Sequence, residues 1–183
     1  MSQSAIALDK QQHSGQAVVP SSKIYTPEIA PLVPCNIRVE RITTVGRNHT
    51  PQLIYTTRKG RCSTLISKAQ LIQCCCCFLA LHGINFDAVA SISINQTGIK
   101  LKTNRGQFSI AAFEAQQFLS RYNRVALEPL AVKLTATGAM VWNPQRHSVS
   151  LVEQGGCSCP DWQYRQTLCK HQIAMQLCQS WHS

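Results

Sequence analysis

Four potential metal ligands near the end of the chain constrain its local fold more than any other feature. Cys157, Cys159, Cys169 and His171 form the pattern C-x-C-x9-C-x-H. Zinc prefers four Cys or His ligands in a tetrahedron, and two close pairs joined by a spacer can supply them. In an extended chain the first two cysteines project to the same side, so both can approach one ion. The spacing differs from the common C-x2-C arrangement, and chance placement in a chain with ten cysteines is the alternative.

The surrounding residues favour a metal site over chance placement. Two glycines precede the first pair and permit a sharp backbone turn, while Pro160 stiffens the chain after it. Two short strands are expected upstream, on either side of an Asn-Pro turn at residues 143–144. Residues 170–181 have the pattern of a helix with Ile173 and Leu177 facing inward. The second ligand pair therefore lies where this helix begins.

The stretch "CSCPDWQYRQTLCKHQIA" resembles the SWIM zinc finger, a motif of pattern C-x-C-x(n)-C-x-H. The resemblance extends over about residues 130 to 180 and includes the Cys-Pro step, Trp162, and a Cys-Lys-His step before an apolar helix start. It implies one Zn²⁺ ion held by the four candidate ligands. Because a site with four protein ligands leaves no position for a reacting water, this zinc would be structural. The family is regarded as a DNA-binding or protein-interaction module, so the resemblance implies one of these two roles.

The net charge of +10 comes from two segments outside the candidate metal site. Residues 35–68 carry seven Lys and Arg against one acid, and residues 100–146 carry seven against two. Residues 147–183 balance, so the zinc segment by itself is a poor phosphate ligand. The basic excess favours an anionic partner, most simply nucleic acid, whereas a solvated basic surface without a ligand is the alternative. The candidate nucleic-acid contacts are Arg58, Lys59, Arg61, Lys100, Lys102 and Arg105.

The residue patterns predict an α+β fold in three parts. Residues 1–34 are rich in Ser and Gln at the start and hold four prolines, which predicts a flexible N-terminal tail whose second half docks. Residues 35–126 are expected to form a basic α+β domain with a small mixed sheet and two helices. Residues 127–183 are expected to form the SWIM zinc finger, with a ββα-like arrangement.

The predicted elements of the central part follow from hydrophobic periodicity. Strands are expected at residues 36–45 and 51–57, and the alternation over 89–110 predicts three more strands joined by tight turns. Residues 64–81 and 111–125 have the length and spacing of helices. The first helix should end at a His-Gly step after residue 81.

Four consecutive cysteines at residues 74–77 fall inside the first predicted helix. Since each helical residue turns by about 100°, four adjacent thiols spread around the axis and cannot surround one ion. Lipidation of cysteine usually accompanies a membrane-proximal segment, and none is evident. We therefore interpret the run as the buried end of a helix, with thiols packing as small hydrophobic groups. Cys178 is predicted to be a buried thiol as well, while Cys35 and Cys62 are expected to be ordinary thiols.

The sequence favours a binding role in a reducing, cytoplasmic setting. The N-terminus lacks the pattern of a signal peptide, and no stretch reaches the ~20 apolar residues of a membrane span. Eight scattered acidic residues and the lack of a phosphate-binding motif argue against an enzyme. We expect no membrane partner and no small-molecule substrate. The first hypothesis is a small nucleic-acid-binding protein, with DNA as the expected partner, and the second is an adaptor whose zinc module docks a recombinase or ATPase.

Overall fold

A computed structural model describes residues 23–84 and 87–180 of the chain, apart from the side chain of Ser180. Within these ranges the chain forms eleven β-strands and four α-helices. The strands make three antiparallel sheets, so the fold mixes α and β structure as expected. The predicted N-terminal tail lies outside the described residues up to residue 22. From residue 23 the chain forms a first strand, β1 (Ile24–Tyr25), and then buries Leu32 and Val33.

The first half of the central region is a three-stranded sheet followed by a helix. Its strands are β2 (Arg38–Val45), β3 (Thr50–Thr57) and β4 (Gly60–Leu65), which pair in the order β2-β3-β4. Helix α1 (Lys68–Leu81) then begins at a capping box, in which the Ser67 hydroxyl accepts a hydrogen bond from the backbone N–H of Gln70. The helix ends at His82 and Gly83, as the sequence predicts.

The second half repeats this arrangement. Strands β5 (Val89–Asn95), β6 (Gly98–Thr103) and β7 (Gly106–Ala111) pair in the order β5-β6-β7, and α2 (Ala112–Leu127) follows. The region thus contains two βββα units, called here unit 1 (residues 38–81) and unit 2 (residues 89–127). Instead of the single small mixed sheet expected from the sequence, there are two separate antiparallel sheets.

The two units share one helical layer. Helix α2 contacts β2 of unit 1 as well as β6 and β7 of its own unit, and α1 contacts β3 and β5. Strand β2 also contacts β5, so the two sheets lie side by side. The inner faces of both sheets cover the helices with residues such as Leu53 and Leu101, both fully buried. The outer faces of the two sheets therefore point away from the helices.

The remaining elements form a five-stranded sheet around the candidate metal site. Strands β8 (Ala131–Leu134), β9 (Gly138–Asn143), β10 (Ser148–Glu153) and β11 (Gly156–Cys157) continue from β1 in the order β1-β8-β9-β10-β11. A short helix α3 (Pro160–Arg165) separates the two ligand pairs, and α4 (Lys170–Ser180) follows the second. The arrangement is thus larger than a ββα unit, because β1 and β8 widen the sheet and α3 is inserted.

Helix α4 joins the zinc segment to the rest of the molecule. It contacts α1 and α2 on one side and strands β8 to β11 on the other. Ile173, Ala174, Leu177 and Cys178 are between 0% and 5% exposed, and they belong to the same hydrophobic core as residues of both βββα units. The boundaries predicted between the three parts stay predictions, but the core is continuous across residue 127.

The four consecutive cysteines lie in α1, as interpreted from the sequence. Cys74, Cys75 and Cys77 are buried and Cys76 is half-buried. Burial raises the pKa of Cys75 and Cys77 to about 12, so both are neutral thiols at physiological pH. These thiols pack as core groups.

Membrane-spanning length and hydropathy are not reached by any helix in the described part of the chain.

Candidate metal centre and nucleic-acid interface

The first pair of candidate ligands lies at the end of the five-stranded sheet. Cys157 occupies β11 and pairs with Val152 of β10. Ser158 fastens the chain to β10, because its N–H donates to the Leu151 carbonyl (2.9 Å) and its hydroxyl accepts from the Leu151 N–H (2.9 Å). The chain bends after Cys157, Cys159 has extended dihedral angles, and the Sγ atoms of both cysteines reach the same cluster.

Cys159 also caps the short helix α3. Its Sγ accepts a hydrogen bond from the backbone N–H of Trp162 at 3.4 Å, and Pro160 occupies the first helical turn. The indole of Trp162 packs beside Gly156, where an added Cβ would lie 3.5 Å from the ring nitrogen. The sequence did not predict this helix, because six residues starting with Pro resemble a turn.

The second pair of candidate ligands lies at the start of α4. The N–H of Cys169 donates to the Gln172 side-chain oxygen at 3.0 Å, and its carbonyl accepts from the Ile173 N–H at 3.2 Å. Cys169 therefore sits in the turn before the helix, and His171 sits in the first turn. This is the placement that the sequence pattern predicts for two ligands facing one ion.

The four ligand atoms converge on one buried point. All four lie within 4.8 Å of one another, and all four residues are buried. His171 presents Nδ1 at 3.8 Å from the Cys157 Sγ and 4.0 Å from the Cys169 Sγ. A tetrahedral zinc ion with the usual Zn–S and Zn–N lengths needs S···N separations of about 3.6 Å. The observed separations are a few tenths of an ångström longer, so the donor set fits zinc with minor contraction.

The protonation of the three thiols follows from their crowding. A hydrogen bond from Cys157 and the nearby His171 lower the pKa of Cys169 to about 4. The pKa of Cys157 is raised by its hydrogen bond to Cys169 and by burial, and burial also raises the pKa of Cys159. Cys169 is therefore the thiol of the cluster that ionises most readily. Zinc binds thiolates, so occupation of the site releases the remaining protons.

A buried arginine of unit 2 holds the loop between the ligand pairs. The Arg121 side chain on α2 is 9% exposed and donates to the Thr167 hydroxyl at 3.1 Å and to the Gln117 side-chain oxygen at 2.8 Å. It also forms an ion pair with Asp161 of α3 at 3.5 Å. The zinc loop is therefore docked on α2. Nothing in the sequence marks this arginine, since its two partners in the loop lie 40 and 46 residues away.

A second polar link joins the end of α2 to the start of α4. The carboxylate of Glu128 accepts hydrogen bonds from the Lys170 ammonium and from the Asn143 amide (3.2 Å). Burial raises the pKa of Glu128, but Lys170, Arg146 and Asn143 together outweigh burial and leave the pKa lowered. Since Lys170 lies between the two ligands of the second pair, this link helps to position them.

Comparison with known families agrees with this geometry. The family model of the SWIM zinc finger matches residues 140–179, which run from β9 into α4. The match and the buried Cys/His cluster identify this segment as a SWIM zinc finger and support zinc binding by the chain. The two βββα units lie outside the matched residues. No curated protein and no solved structure gave a match to the chain.

The six residues predicted to contact nucleic acid lie on units 1 and 2. Arg58 and Lys59 form the exposed tip of the β3–β4 hairpin, and Arg105 lies at the exposed tip of the β6–β7 hairpin. Lys100 and Lys102 project from the outer face of β6, as their alternation with Leu101 predicts. Arg61 projects from the outer face of the edge strand β4, a strand that sequence reasoning missed.

Two further arginines lie on the outer face of unit 1 and were not among the predicted contacts. Arg38 faces Thr56 and Arg41 faces Ile54 across β2 and β3, and both arginines are exposed. A β-bulge at Glu40 separates them, so the simple alternation of strand residues fails at this point. Because of this bulge, strand periodicity in the sequence does not predict that both arginines lie on the same face.

The aromatic residues of the zinc segment differ in exposure. Trp162 is half-buried and packs against the core, whereas Tyr164 is 88% exposed. Trp181 lies outside the described residues. Cys178 is fully buried, as predicted, and Cys35 and Cys62 are exposed.

Proposed function

We propose that this protein binds nucleic acid, with DNA as the expected partner, through the outer faces and hairpin tips of its two βββα units. The observation that carries the proposal is a group of exposed cations on the outer faces and hairpin tips of the two three-stranded sheets. Eight basic residues point outward from the two sheets or their tips: Arg38, Arg41, Arg58, Lys59, Arg61, Lys100, Lys102 and Arg105. Such a surface attracts a phosphate backbone.

The zinc finger has a structural role in this proposal. Helix α4 is packed on opposite sides by α1 and α2 and by the sheet, so its buried face is not available to enter a groove of DNA. Three thiolates around a dication leave the occupied site with a net charge of about −1. The Glu128 carboxylate also offsets the charge of Lys170. Phosphate attraction therefore has to come from units 1 and 2, and we propose a binding role without catalysis.

Fluorescence anisotropy with labelled DNA, repeated over a salt series, tests the proposal. We expect binding that weakens steeply with salt, because neutralised phosphates release counterions. The K102E variant should weaken binding at least tenfold. The K133E variant is the matched control, since Lys133 is an exposed lysine on a strand of the five-stranded sheet. Absence of binding at low salt, or an equal loss in both variants, would refute the proposal.

A protein-interaction role is the second candidate, and one observation favours it. The outer face of the five-stranded sheet exposes three neighbouring apolar side chains on β9 and β10. Val149 is 60% exposed, Leu151 is 49% exposed and Met140, which pairs with Leu151, is 38% exposed. Apolar side chains grouped in this way are typical of protein contacts. A recombinase or ATPase that binds the wild-type protein but not the M140K/L151K variant would support this role.

A further inference from the structure

The two hairpins that carry the basic tips have the same structure. In unit 1, the Thr57 hydroxyl donates to the Gly60 carbonyl at 3.2 Å and accepts from the Lys59 N–H at 3.1 Å. In unit 2, the Thr103 hydroxyl donates to the Gly106 carbonyl at 3.1 Å and accepts from the Arg105 N–H at 3.1 Å. Lys59 and Arg105 therefore hold equivalent positions, and the sequences Thr-Arg-Lys-Gly and Thr-Asn-Arg-Gly encode the same turn.

The equivalence extends to the strands that lead into and out of the turns. Leu53 and Tyr55 of β3 face inward, as do Ile99 and Leu101 of β6, and all four are buried. Each first strand of a unit also has a bulge, at Glu40 in β2 and at Ala90 in β5. A chain that builds the same basic hairpin twice on one helical layer presents two equivalent cationic tips.

The outer faces of both sheets lack the groups that single-stranded nucleic acid requires. Proteins that bind single strands stack the unpaired bases on exposed aromatic rings. Tyr55 and Phe108, the aromatic residues of these six strands, belong to the inner faces, where Tyr55 pairs with Val39 and Phe108 pairs with Leu101. The outer faces present mainly Ser, Thr, Lys and Arg, which suit a phosphate backbone whose bases are already paired.

Building on the proposed function, we propose that units 1 and 2 act as two equivalent grips on one double-stranded nucleic acid, with Lys59 and Arg105 each binding phosphate. Each grip also carries one acidic residue. The carboxylate of Asp87 accepts a hydrogen bond from the Asn104 amide at 2.8 Å and so lies against the tip of unit 2. In unit 1 the carboxylate of Glu40 forms an ion pair with Arg61, beside the tip, at 2.8 Å. Each carboxylate lowers the positive charge that its grip presents to phosphate.

Anisotropy titrations with a DNA duplex and with its separate strands, each over a salt series, test this proposal. The wild type should bind the duplex at least tenfold more tightly than either strand at equal salt. Removal of one cation that neutralises a duplex phosphate lowers the slope of log affinity against log salt by about 0.9. K59A and R105A should each lower the slope by about this amount and should cost similar amounts of affinity. K133A should leave the slope unchanged, and unchanged melting temperatures would exclude misfolding.

The Asp87→Asn variant tests whether the tip of unit 2 contacts phosphate, because the amide can still accept the hydrogen bond from Asn104 while the negative charge is removed. We expect it to bind the duplex several-fold more tightly than the wild type. Failure of the wild type to bind any DNA would overturn the proposed function. Binding that prefers single strands, a loss confined to one tip, or D87N binding no more tightly than the wild type would overturn the two-grip proposal and leave the proposed function standing.

Discussion

Removal of zinc should destabilise the whole described core and not only the zinc finger. The four inward residues of α4, from Ile173 to Cys178, are at most 5% exposed and pack against both βββα units as well as the sheet. Burial of the two largest, Ile173 and Leu177, contributes about 3 to 6 kcal/mol in total. A domain of ordinary stability has about 5 to 15 kcal/mol in all, so release of α4 removes a large fraction of it.

This loss of about 3 to 6 kcal/mol should appear as a lower melting temperature. For a chain of this length, each kcal/mol shifts the melting temperature by about 2 to 4 °C, so chelation should lower it by about 6 to 24 °C. Circular dichroism with and without a zinc chelator measures the shift. Hydrogen–deuterium exchange then locates it, and we expect faster exchange in α1 and α2 as well as in α4.

The Cys159→Ser variant separates loss of the metal from loss of the helix cap. Serine is a preferred N-cap residue, so the hydrogen bond to the Trp162 N–H is retained while the ligand is lost. This variant should melt like the chelated wild type. Faster exchange restricted to residues 130–180 would mean that the zinc finger unfolds by itself and would contradict this prediction. Unchanged melting on chelation would refute a structural zinc.

The polar links and the sheet around the zinc finger lead to three further predictions. R121M should lower the free energy of unfolding by about 1.5 to 3 kcal/mol in a denaturant titration, because it removes charged hydrogen bonds from a buried site. R165M is the control, since Arg165 is 68% exposed, and should change this free energy by under about 0.5 kcal/mol. Equal effects of the two variants would contradict the docking of the zinc loop on α2. The pKa of Glu128 is lowered in the folded state, so the carboxylate stabilises the fold above the unfolded pKa of about 4.5, and this stabilisation is lost as the pH falls through the folded pKa. The difference in free energy of unfolding between wild type and E128Q should therefore be constant near neutral pH and shrink below about pH 4.5. A difference that grows on acidification would contradict the lowered pKa. G138A should lower the free energy of unfolding by about 3 kcal/mol or more, because a Cβ at this position would lie 1.9 Å from a backbone carbonyl oxygen of β10. In the same denaturant titration, G156A should lower it by less than half as much, because the added Cβ meets its nearest neighbour at 3.5 Å.

Local sequence signals predict most of the helices and strands. Helix α1 is predictable because its apolar run is long and lacks Gly and Pro, and the second hairpin of unit 2 because Lys100 and Lys102 alternate with buried residues. Strand β4 is not predictable, because it lies at a sheet edge and none of its residues is buried. Its sequence therefore shows no alternation of apolar and polar residues. The repeat of unit 1 in unit 2 is hidden for a similar reason, since few residues other than the turn Thr and Gly are shared.

The metal site is more predictable than the contacts that hold it. Four ligands with fixed spacing carry their own chemical signature, and the structure brings Cys157, Cys159, Cys169 and His171 together within 4.8 Å. The role of Arg121 depends on tertiary contacts across about 40 residues of chain, and no local pattern encodes them. The positions of Arg38 and Arg41 depend on a bulge that breaks the strand period.

The zinc content of purified protein tests the central claim most directly. Elemental analysis of the wild type should give about one zinc per chain, because the cluster supplies one set of four ligands. Replacing Cys169 with Ser should abolish bound zinc, whereas replacing Cys74 to Cys77 with Ala, one at a time, should leave it unchanged. A full zinc complement in C169S, or loss of zinc from one of the α1 variants that still folds, would contradict the account.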